Sequence, residues 1–112
     1  MTSITTGVEI ELDGETHTLK PSLKAARTVS RIGNGFQGVY AGLVNSNFDV
    51  FAAVIKAGIT SKNISTDDLD EAIYQTGLTK LLEPVARFVR LLQNGGKEEA
   101  DEGEQSEGNG PA

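Results

Sequence analysis

LTKLLEPVARFVRLLQN, residues 78–94, decides how the rest of this chain must fold. At about 100° per residue, Leu78, Leu81, Leu82, Val85, Val89 and Leu92 fall in one stripe, with Phe88 at its margin and Lys80, Glu83, Arg87 and Arg90 opposite. The spacing predicts an amphipathic helix with one buried face. Burying about six large apolar side chains, at roughly 1.5–3 kcal/mol each, supplies much of a small domain's stability, so residues upstream must cover that stripe. Pro84 removes one helical hydrogen bond and crowds the preceding turn. It predicts either a kink or a short turn over 78–82 leading into the main helix. Gly95 and Gly96 then stop the helix.

Downstream the chain changes character. KEEADEGEQSEGNGPA, residues 97–112, has no large apolar side chain to offset the entropy of ordering, and is expected to be a disordered acidic tail. It holds six acids and one lysine of a chain whose net charge is −6, leaving ten acids against nine bases before it. That nearly neutral body lacks the basic footprint that binding a phosphate backbone requires, so nucleic acid is not expected as a partner. No apolar run approaches the roughly 20 residues that span a bilayer, and MTSITTGVE has neither region of a signal peptide, so no membrane association and a cytoplasmic location are expected. With no cysteine there is no disulfide framework and no thiolate metal site.

Upstream, residues 1–6 are small and polar and are expected to fray. Val8, Ile10 and Leu12 alternate with Glu9 and Glu11, and Asp13-Gly14 follows. A two-residue type I′ turn there pairs Leu12 with Glu15, Ile10 with His17 and Val8 with Leu19, which makes residues 7–20 a β-hairpin. Two strands alone are marginal, so the Val8, Ile10 and Leu19 face belongs against helices. Pro21 ends the second strand, and Ser22 caps a helix over 23–32 whose inner face is Ala25, Val29 and Ile32. On its other side Lys24, Arg27 and Arg31, preceded by Lys20, form a basic strip, read either as a solvated face or as a contact for an anionic partner or the acidic tail.

Gly33, Asn34 and Gly35 break that helix. Phe36, Val39, Tyr40, Leu43 and Val44 then predict a second, in which Gly38 and Gly42 either admit a close neighbour or leave the segment mobile. Asn45 to Asn47 cap a third helix with Phe48, Phe51, Ala52 and Ile55 on one face, ending near Gly58. After a loop over 59–64, Ser65 or Thr66 caps a fourth, with Leu69, Ala72 and Ile73 inward and Gly77 at its end. Asp67, Asp68, Asp70 and Glu71 crowd its first turns, where the helix dipole favours negative charge. The expected fold is α+β: an N-terminal two-stranded β-hairpin packed on a bundle of about five short helices, forming a single domain over residues 7–96.

Catalytic parts are scarce. His17 is the one histidine and there is no cysteine, so the usual nucleophile–base pairs have almost nothing to draw on, and a zinc site has too few ligands. The acids over 67–71 lack the spacing and central glycine of a calcium loop. The glycines over 33–42 follow no strand and precede no Lys-Ser or Lys-Thr, so no phosphate-binding loop is met. No enzymatic activity and no cofactor are expected.

The order of VEIELDGETHTLKPS, a first helix, the GNGF break, FAAVIKAGI, DDLDEAIYQTGL and LLEPVARFVRLL resembles the small tail assembly chaperones of long-tailed phages and gene transfer agents, over residues 7–95. The most distinctive pieces are the strand, Asp-Gly turn, strand and proline opening, and the spacing of Gly77, Leu78, Pro84 and Val85. The stretch from Gly33 to Gly42 is richer in glycine than the family pattern. The resemblance implies a non-enzymatic assembly factor in the cytoplasm of the bacterial host, absent from the mature particle. It would bind the helical tape measure protein, keep it soluble and recruit the tail tube protein, with self-association left open. Many relatives are also made in two lengths through a frameshift, and Gly95, Gly96 and Lys97 can be encoded by GGG GGA AAG, which contains the slippery heptamer G GGA AAG. The same three residues are also what a helix stop leading to a solvated tail shows, so a longer product is left open. Lys24, Arg27 and Arg31 are the candidate electrostatic contact, and Phe36 and Tyr40 are read either as core packing or as exposed apolar anchors. The alternatives are a structural tail or head-tail connector component of the virion, found in purified particles, and a helical regulator binding duplex DNA through the strip from Lys20 to Arg31.

Overall fold

Asp13 and Gly14 take the two positive φ angles, 51° and 88°, that a type I′ turn demands. The hairpin forms around them. Strands β1 (Val8–Leu12) and β2 (Glu15–Leu19) pair antiparallel, with Leu12 opposite Glu15, Ile10 opposite His17 and Val8 opposite Leu19, as the alternation predicts. Five helices follow: α1 (Leu23–Ile32), α2 (Phe36–Val44), α3 (Phe48–Gly58), α4 (Thr66–Thr76) and α5 (Leu78–Gln93). This computed structural model describes residues 7–60 and 64–97. The expected frayed start over 1–6 and the acidic tail from residue 98 onward lie outside the described residues.

Local chemistry sets the helix starts. Ser22 Oγ accepts from the Ala25 N–H at 3.0 Å, Asn47 Oδ1 from Val50 at 3.3 Å and Ser65 Oγ from Asp68 at 3.1 Å, each satisfying one of the orphan donors of a first turn. At the far end of α5 the Gly96 N–H donates to the Leu91 carbonyl at 2.7 Å, closing the helix as its two glycines predict.

The core is built from every element. Val8, Ile10, Leu12 and Leu19 of the hairpin lie against α3, α4 and α5, and join Val29, Val39, Leu43, Phe51, Ile55, Ile73, Val85 and Phe88 in one apolar interior. Along α5 the buried residues are Leu81, Val85, Phe88, Val89, Leu91 and Leu92, while Leu82 is 38% exposed. The stripe is thus turned toward Phe88 and Leu91 relative to the one that spacing predicts. The reason is that α5 is covered by α1, α2 and α3 as well as by β1, and the Phe88 ring lies against Gly58 at the end of α3. Pro84 sits inside one continuous helix, so no separate turn over 78–82 exists.

Two further differences have physical causes. Val44, counted on the inner face of α2, is 73% exposed, because it is the last residue before the chain turns away through Asn45 and Ser46. Ile59 and Thr60, expected to begin a loop, instead line the outer edge of β2. The Lys20 N–H donates to the Gly58 carbonyl at 2.8 Å and the Thr60 N–H to the Thr18 carbonyl at 3.2 Å, around an antiparallel Leu19–Ile59 bridge. A hairpin that would be marginal alone gains a third segment. As for the glycines, a Cβ on Gly38 would strike the backbone of Gly33, so close approach at the α1–α2 corner is what that glycine permits.

Candidate functional site

Among the described residues no polar or charged residue is buried as a whole, although the His17 side chain is only 8% exposed. His17 lies opposite Ile10, with Nε2 3.8 Å from the Glu15 carboxylate. Of the acids at the start of α4, Asp70 faces the Lys56 ammonium at 3.0 Å, set as an ion pair rather than as an aligned hydrogen bond. No group of three or more His, Asp or Glu among the described residues is placed to hold a metal ion. Nor is any described helix long and apolar enough to cross a membrane.

The basic strip is a real surface feature. Ala25 and Val29 point α1 into the core, which turns Lys24, Arg27 and Arg31 outward, and all three are exposed together with Lys20 at the end of β2. No acid among the described residues lies within ion-pair distance of the strip. Sequence reasoning passed over Leu23 at its foot, which is 69% exposed. The signal was present: Leu23 stands one helical turn before Arg27 and nearly opposite Ala25 and Val29. An exposed leucine beside three cations lets one helix face offer both apolar area and charge.

Phe36 and Tyr40 lie on the neighbouring helix α2, half-buried and packed against the core. The Tyr40 hydroxyl donates to Gln93 Oε1 at 2.6 Å and ties α2 to the end of α5. It lines a shallow cleft of about 430 Å³ with Gln37, Arg90, Gln93 and Asn94. The five candidate residues therefore divide between an exposed strip on α1 and a partly covered aromatic pair on α2. A second groove, of about 490 Å³, runs between the outer edge of β1 and the corner where α4 meets α5. Val44 and Tyr74, 73% and 69% exposed, add apolar surface at the ends of α2 and α4.

Such a surface, with helix faces carrying mixed apolar and charged groups and two shallow grooves, is suited to contacts with other polypeptides. Over residues 9–97, from β1 to just past α5, the chain matches a family model described as phage tail assembly chaperone protein, TAC. No curated protein and no solved structure matches it.

Proposed function

The chain belongs to the phage tail assembly chaperone family, and from that membership we propose that it binds the tape measure protein in the host cytoplasm, keeps it soluble and helps recruit tail tube subunits. It does so without making or breaking covalent bonds. The family match carries this reading. The surface supports it. A long amphipathic client exposes apolar stripes that aggregate unless covered, and the α1 face, with Leu23 beside Lys24, Arg27 and Arg31, offers an apolar contact flanked by charge. Tyr40 adds aromatic area where α2 meets the end of α5, and Phe36 adds more one turn earlier on α2, both packed against the core.

The test is co-expression with the tape measure protein, reading the client's soluble yield and its co-purification. A rise in soluble client held in a complex is expected. A client that stays insoluble, or that is soluble without the chain, overturns the reading. Recovery of the chain as a stoichiometric part of purified particles would assign it to the particle's structure instead.

A further inference from the structure

The outer edge of β1 carries main-chain groups that no described residue bonds. Leu12 and Glu15 flank the two-residue turn as a hydrogen-bonded pair, so Val8, Ile10 and Leu12 direct their N–H and C=O groups toward β2, and Glu9, Glu11 and Asp13 direct theirs away. The same alternation on β2 can be checked directly. Its outward Thr18 carbonyl and Lys20 N–H are the groups that bond to Thr60 and Gly58. Along the outer edge of β1, among the described residues only the turn end is taken, where the Asp13 N–H donates to Thr76 Oγ1 at 2.8 Å. The N–H and C=O of Glu9 and Glu11 meet no hydrogen-bond partner among the described residues. Glu9, Ile10, Glu11 and Asp13 form one wall of the 490 Å³ groove, whose opposite wall is Gln75 and Thr76 of α4 with Lys80 and Pro84 of α5.

We propose that this edge takes up an extended segment of a partner protein, added antiparallel to β1 and carrying Lys or Arg at alternate positions. The charges on the edge choose the occupant. In an antiparallel pair the residues that exchange hydrogen bonds with Glu9 and Glu11 stand directly across from them, with side chains on the same face, where opposite charges stabilise and like charges repel. Glu9, Glu11 and Asp13 are all exposed on that rim, against the single base Lys80 across the groove. A second copy pairing edge to edge would set Glu9 and Glu11 against the same two acids. A segment with alternating bases meets complementary charge and the unused main-chain groups at once. The occupant is extended rather than helical, so the inference goes beyond the client-binding reading and stands whether or not the client is a tape measure protein.

The experiment uses the full chain, isotopically labelled, and a short peptide of alternating Lys and Val. Peptide is expected to slow hydrogen exchange at the Glu9 and Glu11 amides by about tenfold or more, as new hydrogen bonds of about 1.4 kcal/mol together would. N-methylation at the peptide's Lys amides, which face β1 in this arrangement, should weaken binding by about tenfold or more, whereas methylation at the Val amides should leave it unchanged. The pair Glu9→Lys and Glu11→Lys should transfer the preference to a peptide of alternating Glu and Val. If that pair disturbs folding by circular dichroism, Glu9→Gln with Glu11→Gln supplies the weakened-binding arm. Four results would each overturn the proposal: no binding of the Lys–Val peptide, binding with unchanged exchange at Glu9 and Glu11, equal binding of both methylated peptides, or dimerisation of the chain through this edge.

Discussion

Replacing Gly58 by alanine tests how α3 and α5 lock together. A Cβ at this position would meet the ring tip of Phe88, with Cε2 at 2.7 Å and Cε1 at 3.2 Å. Phe88 is fully buried among close-packed side chains, so its ring can move only by displacing them. Overpacking of this kind costs about 1–3 kcal/mol, and better helix propensity returns at most about 1 kcal/mol, which leaves a net loss of about 1–2 kcal/mol. Phe88→Leu alone should cost about 1.5 kcal/mol by thinning the core. Leucine also vacates the space that the new methyl group needs. The double variant should therefore be close in stability to Phe88→Leu alone, a favourable coupling of about 1–2 kcal/mol between two residues far apart in sequence. Urea unfolding followed by helical circular dichroism measures all four corners of the cycle, provided the m-value is unchanged. A total stability of about 5–10 kcal/mol keeps every corner folded, and each kcal/mol should move the melting temperature by about 4–8 °C. Additivity within about 0.3–0.5 kcal/mol would refute the reasoning, because it would mean that the ring and the glycine do not meet.

Gly38→Ala should destabilise by about 3 kcal/mol, since the added carbon strikes the Gly33 backbone, which cannot rotate away. Gly42→Ala meets only the Val50 side chain, at 2.8 Å, and should be near neutral once about 1 kcal/mol of helix propensity is set against the strain; the same urea curves separate the two. Ser22→Ala removes the acceptor for the Ala25 N–H and should cost about 1 kcal/mol, read as a drop in melting temperature. Arg27→Glu with Arg31→Glu should stay within about 0.5 kcal/mol of the parent stability, both residues being exposed, while sharply reducing client co-purification; unchanged capture would remove the α1 strip from the binding surface.

Local rules and tertiary context divide cleanly in this chain. The hairpin register, the turn, the first helix from Leu23 to Ile32 and the serine caps were readable because each rests on residues within a few positions of one another: an Asp-Gly pair between alternating strands, a serine three residues before the N–H it accepts. The face of α5 was less readable. Spacing finds the width of an apolar stripe, but its centre depends on what packs on each side, and the Phe88–Gly58 contact spans thirty positions. The strand-like pairing of Ile59 with Leu19 was not readable at all, because it follows from where α3 ends in space and no periodicity marks it. At the candidate site the exposure of Lys24, Arg27 and Arg31 followed from Ala25 and Val29 pointing inward. The partial cover of Phe36 and Tyr40 depended on α5, with Gln93 reaching the Tyr40 hydroxyl from a distant part of the chain.

Closing a helical core with a hairpin instead of a further helix has a consequence for binding. A helix face can recognise a partner only through side chains, because its main-chain groups are bonded along its own axis. A strand edge also offers main-chain groups, which take up an extended chain with little regard to its sequence. Here the hairpin supplies Val8, Ile10, Leu12 and Leu19 to the interior and, among the described residues, leaves β1 with one paired edge and one open one. On the two proposals together, a helical partner would sit on α1 and an extended one at β1, held through different chemistry. If the two surfaces act independently, charge reversal at Arg27 and Arg31 should leave uptake of a Lys–Val peptide at β1 unchanged, and charge reversal at Glu9 and Glu11 should leave capture of a helical client unchanged. Loss of both activities in either variant would mean that one surface serves both.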